Sequence, residues 1–441
     1  MFLPFVVRIQ DHIAKISWTV ADKILFLLYG FVNILQNNAL SPQELGLYTL
    51  CNALQIFIFS VSDGFILQSI IVVGTDKEAR GSINRFAVTW HIVLVLGASL
   101  LVFLLQAPFA WLLNEPRLTT VAAYLPLFCV LGIPRTLSLK YLMRDVQARE
   151  IFTVNAVWIG TMIGMTAWML ATGGLVSFEA MFAIAASGMG ASSVVALWIT
   201  RKQFSFRGTK HIPLREFFHG GIYQGMASLL GNMVRQLDVT VVQFFFGTAT
   251  VGVYQSAKTL FRFFDEGFAA ITSLVYPATM RLVHEERFPE LLAMLSKMLS
   301  FSLLATLFML MLTEFGAAEF AISRLLSAKY SNAVGYFRLL VLAAPAMPFV
   351  ALLPVMLALG EVRRLLVFIV LAVLSGWTVL ALVGIFSQPT LAPLGFVAYT
   401  IMLALLIFMF VRSRLHFPLS LLLRAIPDTL DFLGLLKRKS S

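Results

Sequence analysis

Runs of about 20 apolar residues, each bounded by a short polar segment, recur along the whole chain. A helix of about 20 residues crosses the roughly 30 Å hydrocarbon core of a bilayer, so each run predicts a membrane-spanning helix. Six runs fall in the first half of the chain, at 17–36, 46–74, 86–106, 119–140, 151–171 and 178–199. Six more follow, at 220–246, 251–280, 291–313, 333–359, 364–386 and 391–411. The pattern predicts an all-α polytopic membrane protein with twelve transmembrane helices.

The segments that join these runs alternate in charge. Basic residues collect near every second junction, at 77–85, 135–149, 201–215, 281–297 and 363–364, and again in the C-terminal tail. The other junctions hold only Arg117, Arg324 and Lys329. Because cytoplasmic loops of membrane proteins are enriched in Lys and Arg, we predict that both termini are cytoplasmic. The alternation also favours twelve spans, since one missed or added span would break it.

The longest polar stretch, 201–216, separates the two sets of six runs. Equal halves indicate an internal duplication, with the two lobes related by an axis along the membrane normal. We therefore predict an N-terminal lobe at 1–200, a cytoplasmic linker at 201–219, a C-terminal lobe at 220–411 and a cytoplasmic tail at 412–441.

A weak internal match supports the duplication. Residues 41–48 and 247–254 each introduce the second span of a half. The two stretches share a glycine and a tyrosine at matching positions, namely Gly46 with Gly252 and Tyr48 with Tyr254. The match is short, so it supports the duplication without establishing it.

Composition narrows the range of functions. Hydrophobic residues make up 59% of the 441 residues, charged residues only 12%, and the mean hydropathy is +0.87. The net charge of +11 is spread over the loops rather than gathered in one patch, which argues against a nucleic-acid partner. Cys51 and Cys129 both fall in apolar runs, so we expect neither a disulfide framework nor a metal site built from them.

Motifs for catalysis and cofactors are missing from the sequence. It has no GxxxxGK[ST] phosphate loop, so we expect no nucleotide hydrolysis. The six histidines show no ligand spacing, and His91 in the third run is predicted to be a packed or hydrogen-bonded core residue. The loops predicted to lie outside are too short for a catalytic domain. We expect a transporter without cofactor or metal, and not an enzyme.

One hairpin, 220–280, carries far more charge than a pair of membrane spans should. Its charged residues are Arg235 and Asp238 in the first arm and Lys258, Arg262, Asp265 and Glu266 in the second. A charge at the bilayer centre costs about 2.5 to 3.5 kcal/mol even on the gentlest scale. These side chains must therefore face partners or water rather than lipid.

Helical geometry relates these charges to one another. At about 100° per residue, the four charges of the second arm lie on one face of the helix. Counted from the turn at 247–250, Asp238 and Lys258 lie at nearly equal depth and can neutralise each other. Arg235 and Arg262 lie deeper, and two guanidinium groups at one level suit a bidentate anion such as phosphate. Structural ion pairing and snorkelling of Lys258 stay open as simpler explanations.

Charged residues also lie in the first, second and tenth spans. Asp22 and Lys23 lie in the first span, Asp63 in the second, and Arg338 at the start of the tenth. Lys23 can reach the headgroups, whereas Asp63 is harder to explain in this way. The tenth span also contains prolines, which predict breaks in its helix.

Several short stretches occur in the order found in one transporter family. They are LSPQELGLY at 40–48 with SDG at 62–64, YLMRDVQAR at 141–149, RQLD at 235–238, GVY at 252–254, and LLSAKY at 325–330 with YFRLL at 336–340. Together they resemble the Wzx-type flippases of lipid-linked oligosaccharides, within the multidrug/oligosaccharidyl-lipid/polysaccharide exporter superfamily. The stretches are spread over most of the chain.

This resemblance implies two six-helix lobes around a central cationic cavity that opens alternately to each side of the membrane. The implied substrate is an undecaprenyl-diphosphate-linked sugar, moved from the inner to the outer leaflet of the bacterial inner membrane for O-antigen or exopolysaccharide biosynthesis. We expect a monomer surrounded by membrane lipid, with a polysaccharide polymerase as a candidate partner.

The charged residues receive roles on this basis. We predict that cationic residues hold the diphosphate with Asp238 beside them, namely Arg235, Arg262, Lys258 and Arg338. Two energy sources stay open, namely the membrane potential acting on the diphosphate, and a coupling H⁺ or Na⁺ bound at Asp63, Asp265 or Glu266. Related flippases have a side portal for the lipid tail at spans 1 and 8, which places Asp22 and Lys23 at the portal.

Two other functions stay open. A cation-coupled drug antiporter of the same fold would need a cavity rich in carboxylates, and transport of hydrophobic cations that depends on Asp238 would favour it. A membrane glycosyltransferase or O-antigen ligase would need a large outer loop or a carboxylate pair at the interface, and neither is visible in the sequence.

Overall fold

A computed structural model describes residues 3–72, 74, 78–206, 222–418 and 420 of the chain, without the side chains of 3–16, 72, 222–225, 227–228, 231–235, 237 and 273–274. Apart from short turns, this described part is helical. The helices before the central gap are α1 (Leu3–Ala39), α2 (Pro42–Ser62), α3 (Gln68–Val72), α4 (Arg80–Leu104), α5 (Gln106–Leu112), α6 (Leu118–Arg144), α7 (Ala148–Ala171) and α8 (Phe178–Thr200). A π-helical turn, Asp63–Leu67, joins α2 to α3.

The helices after the gap are α9 (Ile222–Phe246), α10 (Thr248–His284), α11 (Phe288–Leu312), α12 (Ala318–Leu325), α13 (Ala333–Val341), α14 (Met347–Val350), α15 (Leu353–Ala358), α16 (Val362–Ile385) and α17 (Leu394–Leu415). The predicted tenth span is broken into α13, α14 and α15. The breaks fall at Pro345, Pro348 and Pro354, because proline cannot donate the backbone hydrogen bond that would continue a helix. The predicted interruption of this span is confirmed.

Ten segments of the described residues are long and apolar enough to cross a membrane. The remaining long helices are α9 and α10, of 25 and 37 residues, which hold the charged hairpin. The all-α polytopic fold class is therefore confirmed, whereas the count of twelve spans stays a prediction. Large apolar side chains such as Trp111, Trp198 and Phe308 are exposed on helix surfaces, as expected where lipid is the solvent.

The chain forms two compact units. Unit 1 comprises Met1–Leu260 and Leu325–Tyr330, and unit 2 comprises Phe261–Arg324 and Ser331–Ser441. The boundary of the compact units therefore falls within α10. The predicted lobes at 1–200 and 220–411 remain a prediction, since most of the 201–219 linker and most of the 412–441 tail lie outside the described residues.

Unit 1 has an apolar core where α2, α4 and α6 meet, and one polar group sits within it. Cys129 and Ile83 are fully buried there. His91 of α4 is also fully buried, with Ser62 Oγ 2.6 Å from Nδ1 and Thr136 Oγ1 3.0 Å from Nε2. The prediction that His91 is a hydrogen-bonded core residue is confirmed. Cys51 is likewise a buried free thiol.

Unit 2 is organised around the helix pair α16 and α17. The two backbones approach closely, since a Cβ atom on Gly376 would lie only 2.8 Å from the carbonyl oxygen of Gly395. In the same unit, Phe261 of α10 packs edge-on against Phe396 of α17, with ring centroids 5.6 Å apart. Apolar side chains gain little free energy from leaving lipid, so helix association in a membrane depends on van der Waals contact. Small residues at a crossing allow this contact because they let the two backbones approach closely.

Candidate functional site

The hairpin of α9 and α10 forms because Gly247 adopts a left-handed backbone, with a φ of +82°, between the two helices. Within it, Lys258 Nζ lies 3.0 Å and 2.9 Å from the two carboxylate oxygens of Asp238. Asp238 is only 3% exposed. The prediction that Asp238 and Lys258 lie at equal depth and can neutralise each other is confirmed, since the two residues form an ion pair within unit 1.

Neighbouring groups complete the environment of Asp238. The Tyr254 hydroxyl donates to Asp238 Oδ2 at 2.7 Å, and the backbone N–H of Val239 donates to Oδ1 at 2.8 Å. Lys258 Nζ also lies 5.3 Å from the centroid of the Tyr254 ring. The carboxylate is thus fully engaged, and Lys258 would have to leave it to bind a substrate anion. The substrate-binding role of Asp238 and Lys258 stays a prediction.

The deeper charges of the hairpin are arranged differently. Arg262 has a 46% exposed side chain, and its Nε lies 3.7 Å from Glu266 Oε1, one turn along α10. This is a long, solvent-accessible ion pair, which holds Arg262 weakly. Asp265 is half-buried in the same helix. The side chain of Arg235 lies outside the described residues, so the predicted pairing of Arg235 with Arg262 stays a prediction.

Arg338 forms an ion pair of its own in unit 2. Its Nη2 contacts a carboxylate oxygen of Glu319, which connects α13 to α12. Both side chains are partly exposed, so water or another anion can replace Glu319 as the partner of Arg338. A role for Arg338 in substrate binding would require such an exchange and stays a prediction.

Asp22, the predicted portal residue, belongs to a three-residue polar chain in unit 1. Asn155 Nδ2 donates to Asp22 Oδ1 at 2.8 Å, and Arg135 Nη2 donates to Asn155 Oδ1 at 2.7 Å. The Arg135 guanidinium carbon lies 4.5 Å from the centroid of the Trp158 ring. These contacts connect α1, α6 and α7. Lys23 is half-buried beside Asp22 in α1.

Sequence reasoning missed Arg135 as a site residue. It follows Pro134 and resembled a loop charge, but α6 continues through both residues to Arg144. A usable signal was present on the seventh helix, where Asn155 and Trp158 are three residues apart and so lie on one face. A polar and an aromatic side chain on one face of a membrane helix indicate a buried polar partner.

Asp63 lies in the π-helical turn that follows the C-terminal end of α2, and its carboxylate contacts Lys140 of α6. Their Nζ and Oδ1 atoms are 2.7 Å apart, and the Lys140 side chain is 14% exposed. Such π turns often occur at functional sites because they displace side chains from the regular helix. The predicted ion-coupling role of Asp63 is untested, and in this structure the carboxylate is neutralised by Lys140.

A further polar cluster lies at the N-terminal end of α2. Both carboxylate oxygens of Glu44 accept hydrogen bonds from Arg117, and Glu44 Oε2 also accepts the backbone N–H of Phe178 at 2.7 Å. The hydrogen bond to Glu44 raises the pKa of Arg117. The Thr248 hydroxyl donates to Glu115 Oε2 at 2.7 Å. These bonds connect α2, α8 and α10 to the turn that precedes α6, at one end of unit 1.

The segment 325–330 joins the same end of unit 1. Asn38 accepts the backbone N–H of Ser327 at 2.8 Å, and the Tyr330 hydroxyl donates to the carbonyl oxygen of Leu40 at 3.1 Å. Burial lowers the pKa of Lys329 and raises that of Tyr330. Two of the stretches that carry the family resemblance, 40–48 and 325–330, therefore lie together in the fold.

The described residues contain no group of three or more His, Cys, Asp or Glu side chains placed to hold a metal ion. The chemistry available in these clusters is instead that of paired charges. Carboxylates and cations form ion pairs within and between helices, and an anionic ligand can compete for such cations.

One family of known proteins matches most of the chain in sequence. Residues 39–335 match the sequence profile of a family described as "Polysaccharide biosynthesis protein". The matched range includes the charged hairpin and the cluster at Glu44, together with Arg135 and Asn155 of the polar chain. The comparison with curated proteins finds no match.

Solved membrane transporters share the fold. The lipid II flippase MurJ, in an inward closed conformation, has a TM-score of 0.70 at 12% identity, over 96% of this chain and 93% of the flippase. An inward-facing multidrug resistance MATE family transporter of the MOP superfamily has a TM-score of 0.65 at 13% identity, over 91% and 94% of the two chains. A mutant of the Vibrio cholerae MATE transporter VcmN gives 0.61 at 15% identity, over 92% and 98%. At these identities the likeness establishes the fold alone.

Proposed function

Because this chain belongs to the polysaccharide biosynthesis protein family, we propose that it is a flippase for an undecaprenyl-diphosphate-linked oligosaccharide. One observation carries the proposal: a chain of this family has the fold of multi-pass transporters, one of which is a lipid II flippase. A transporter that serves polysaccharide synthesis needs a membrane-bound sugar precursor as cargo. The predicted resemblance to Wzx-type proteins is confirmed at the level of family and fold.

The distribution of charge supports an anionic cargo. Lys258, Arg262 and Arg338 each contact a carboxylate, namely Asp238, Glu266 and Glu319. A diphosphate can take over such cations, because its oxygens accept charge-assisted hydrogen bonds from ammonium and guanidinium groups. In this proposal these cations and Arg235 hold the diphosphate, with Asp238 as the resting partner of Lys258. The sugar occupies a water-filled cavity, and the prenyl chain stays in lipid near Asp22 and Lys23.

The membrane potential is a sufficient energy source in this scheme. Moving two negative charges outward across an inside-negative membrane releases about 4 to 5 kcal/mol per 100 mV, if the protein charges stay fixed. A coupling H⁺ or Na⁺ at Asp63, Asp265 or Glu266 is the alternative source. The proposed location is the bacterial inner membrane, with both termini cytoplasmic, the protein acting as a monomer and a polymerase consuming the flipped product.

A deletion strain tests the proposal. We expect undecaprenyl-linked oligosaccharide to accumulate on the inner leaflet, with normal assembly of the unit, and export to return with the wild-type gene. A strain that fails to assemble the unit would instead indicate a glycosyltransferase. Accumulation of assembled units on the outer leaflet would indicate an O-antigen ligase.

Two arginines then test the proposed diphosphate site. We expect the double substitution Arg235→Gln and Arg262→Gln to abolish export at normal protein level. The matched control is Arg281→Gln with Arg324→Gln, which removes two exposed guanidinium groups outside the proposed site. Normal export by the Arg235 and Arg262 double variant would overturn the diphosphate site.

Drug efflux is the rival function, since several solved proteins with this fold are multidrug transporters. That function needs a carboxylate available to a hydrophobic cation, whereas Asp238 is 3% exposed and bound to Lys258. Ethidium efflux that is lost in Asp238→Asn, with polysaccharide export unaffected, would support drug efflux instead.

A further inference from the structure

We propose that Arg135 is a phosphate-binding residue of unit 1 that receives the diphosphate of the lipid-linked substrate. Asn155 and Trp158 hold its guanidinium in place, and Asp22 balances its charge through Asn155. The proposal rests on the flippase function and adds a binding residue that the charged hairpin does not contain.

Several cations in the described helices have a carboxylate partner. The pairs are Lys140 with Asp63 at 2.7 Å, Lys258 with Asp238 at 2.9 Å, Arg262 with Glu266 at 3.7 Å, and Arg338 with Glu319. Among the residues that the structure describes, Arg135 forms no ion pair, and its hydrogen-bond partner is the neutral amide of Asn155. An arginine inside a membrane-spanning helix carries a high energetic cost unless an anion meets it.

The donor groups of Arg135 are only partly used. Nη2 donates to Asn155 Oδ1, whereas the Nε–H is buried and has no hydrogen-bond partner in the described part of the chain. The guanidinium carbon lies 4.5 Å from the centroid of the Trp158 ring, close enough for a cation–π contact. This fixes a planar group with five donors, whose geometry matches two phosphate oxygens.

Asn155 keeps a carboxylate close without letting it occupy the arginine. Its amide nitrogen donates to Asp22 Oδ1 at 2.8 Å while its amide oxygen accepts from Arg135 at 2.7 Å. Asp22 therefore stabilises the positive charge from the far side of the amide. A direct Asp22–Arg135 pair would neutralise the guanidinium and take up the donors that a phosphate needs.

The depth of Arg135 suits a headgroup that enters from the inner leaflet. Arg135 lies nine residues before the end of α6 at Arg144, which the sequence predicts to be cytoplasmic. At 1.5 Å per residue this is about 14 Å along the helix axis. A diphosphate that leaves the inner leaflet would meet Arg135 within the inner half of the membrane.

The alternative is a purely structural role, in which Arg135 only ties α6 to α7 through Asn155. The two roles differ in what Asn155→Asp should do. A carboxylate at position 155 would pair with Arg135 directly and so keep the tie between α6 and α7, with loss of the hydrogen bond to Asp22. It would compete with phosphate for the same guanidinium, so a binding role predicts weaker binding of the diphosphate.

The test uses the full-length protein purified in detergent, with undecaprenyl diphosphate as the probe and undecaprenol as the lipid without phosphate. We expect Arg135→Gln and Asn155→Asp each to weaken binding of undecaprenyl diphosphate about tenfold or more, the factor that loss of a charged hydrogen bond produces. Arg135→Lys should weaken it less, since a positive charge remains. Binding of undecaprenol should not change in any variant.

Arg281→Gln is the matched control, because it removes an exposed arginine at the end of α10, and it should bind both lipids as the wild type does. The proposal is overturned if Asn155→Asp binds undecaprenyl diphosphate as tightly as the wild type, even if Arg135→Gln fails to fold. Equal binding by a folded Arg135→Gln overturns it as well. If the wild-type protein does not bind undecaprenyl diphosphate, the flippase proposal fails and this one fails with it. If the wild type binds and the variants bind equally well, only the proposal for Arg135 fails.

Discussion

Gly46 of α2 and Gly252 of α10 hold matching positions in the similar stretches 41–48 and 247–254, and each lies against the first turn of the other helix. A Cβ atom on Gly46 would lie 2.1 Å from the carbonyl oxygen of Thr248. One on Gly252 would lie 1.8 Å from that of Pro42. Since Pro42 and Thr248 are also matching positions of the two stretches, the crossing is symmetric. The internal match that supported a duplication thus corresponds to a reciprocal contact in unit 1.

Gly252→Ala should destabilise the protein. The added methyl group cannot fit against a backbone oxygen, so α2 and α10 must separate, at a cost of about 1 to 3 kcal/mol typical of overpacking. The measurement is the thermal unfolding midpoint in detergent. Gly267→Ala on the same helix is the matched control, since nothing lies within 4 Å of its Cβ position. That control should be neutral or stabilising, and equal midpoints for the two variants would contradict the close crossing.

Asp238→Asn should cost roughly 3 kcal/mol of unfolding free energy, because it removes the carboxylate partner of a partly buried Lys258. The Lys258 side chain is 18% exposed, which places the cost at the lower end of the range for buried pairs. Chemical unfolding in detergent measures it. The double variant Asp238→Leu with Lys258→Met should recover part of the loss, since apolar groups replace both charges.

Arg262→Gln provides the comparison for this pair. Its partner Glu266 is one helical turn away and its side chain is 46% exposed, so we expect a loss of about 0.5 kcal/mol or less. A large loss for Arg262→Gln, or none for Asp238→Asn, would contradict the expectation that the more buried pair stabilises the fold more strongly.

Glu44→Gln should lower stability by about 1 kcal/mol, because Glu44 accepts bonds from both Arg117 and the backbone of Phe178 but Arg117 is 40% exposed and screened by solvent. A double-mutant cycle with Arg117→Gln isolates the pair, and the two losses should not add. Glu290→Gln, which removes a surface partner of Arg287, is the control and should leave the unfolding midpoint unchanged. Additive losses would show that Glu44 and Arg117 act independently.

Tyr330→Phe should weaken the contact with Leu40 and alter the response to alkaline pH. Burial raises the pKa of Tyr330 above its ordinary value of 10.0, so the protonated phenol is favoured in the folded state. Its contribution to stability is fully present below about pH 10 and is lost as the pH rises further. The variant should lose about 1 kcal/mol at neutral pH, with its hydrogen bond to the carbonyl oxygen.

The pH comparison is between unfolding midpoints at about pH 9 and about pH 11. The wild type should fall further over this interval than Tyr330→Phe. Tyr276→Phe, at an exposed position of α10, should keep the wild-type decline. An identical decline in the wild type and in Tyr330→Phe would show that ionisation of Tyr330 is not linked to unfolding.

Part of the candidate site follows from the sequence alone. The pairing of Asp238 with Lys258 was predictable by counting residues on either side of the short turn at Gly247, because both helices advance by the same distance per residue along their axes. The breaks at Pro345 and Pro354 were predictable from the missing backbone donor of proline. Both features depend on residues close to one another in the chain, so the order of residues in the sequence is enough to predict them.

Other parts depend on which distant helices are neighbours. The chain of Arg135, Asn155 and Asp22 joins three helices, and nothing in the spacing of these residues indicates that α1 and α6 both face α7. Pro134 directly precedes Arg135, yet the helix continues through both residues to Arg144.

The sequence by itself determined that this is a helical protein of many membrane spans, because bilayer thickness sets the length of each apolar run and water is absent to satisfy any other backbone. It also determined where the intramembrane charges lie along the chain. Only the tertiary structure decided which charges on helices far apart in the chain neutralise one another, since Lys140 pairs with Asp63 whereas Arg135 binds a neutral amide. The reason is that ion pairing depends on distances of a few ångströms between helices, and those distances are set by packing of the whole unit.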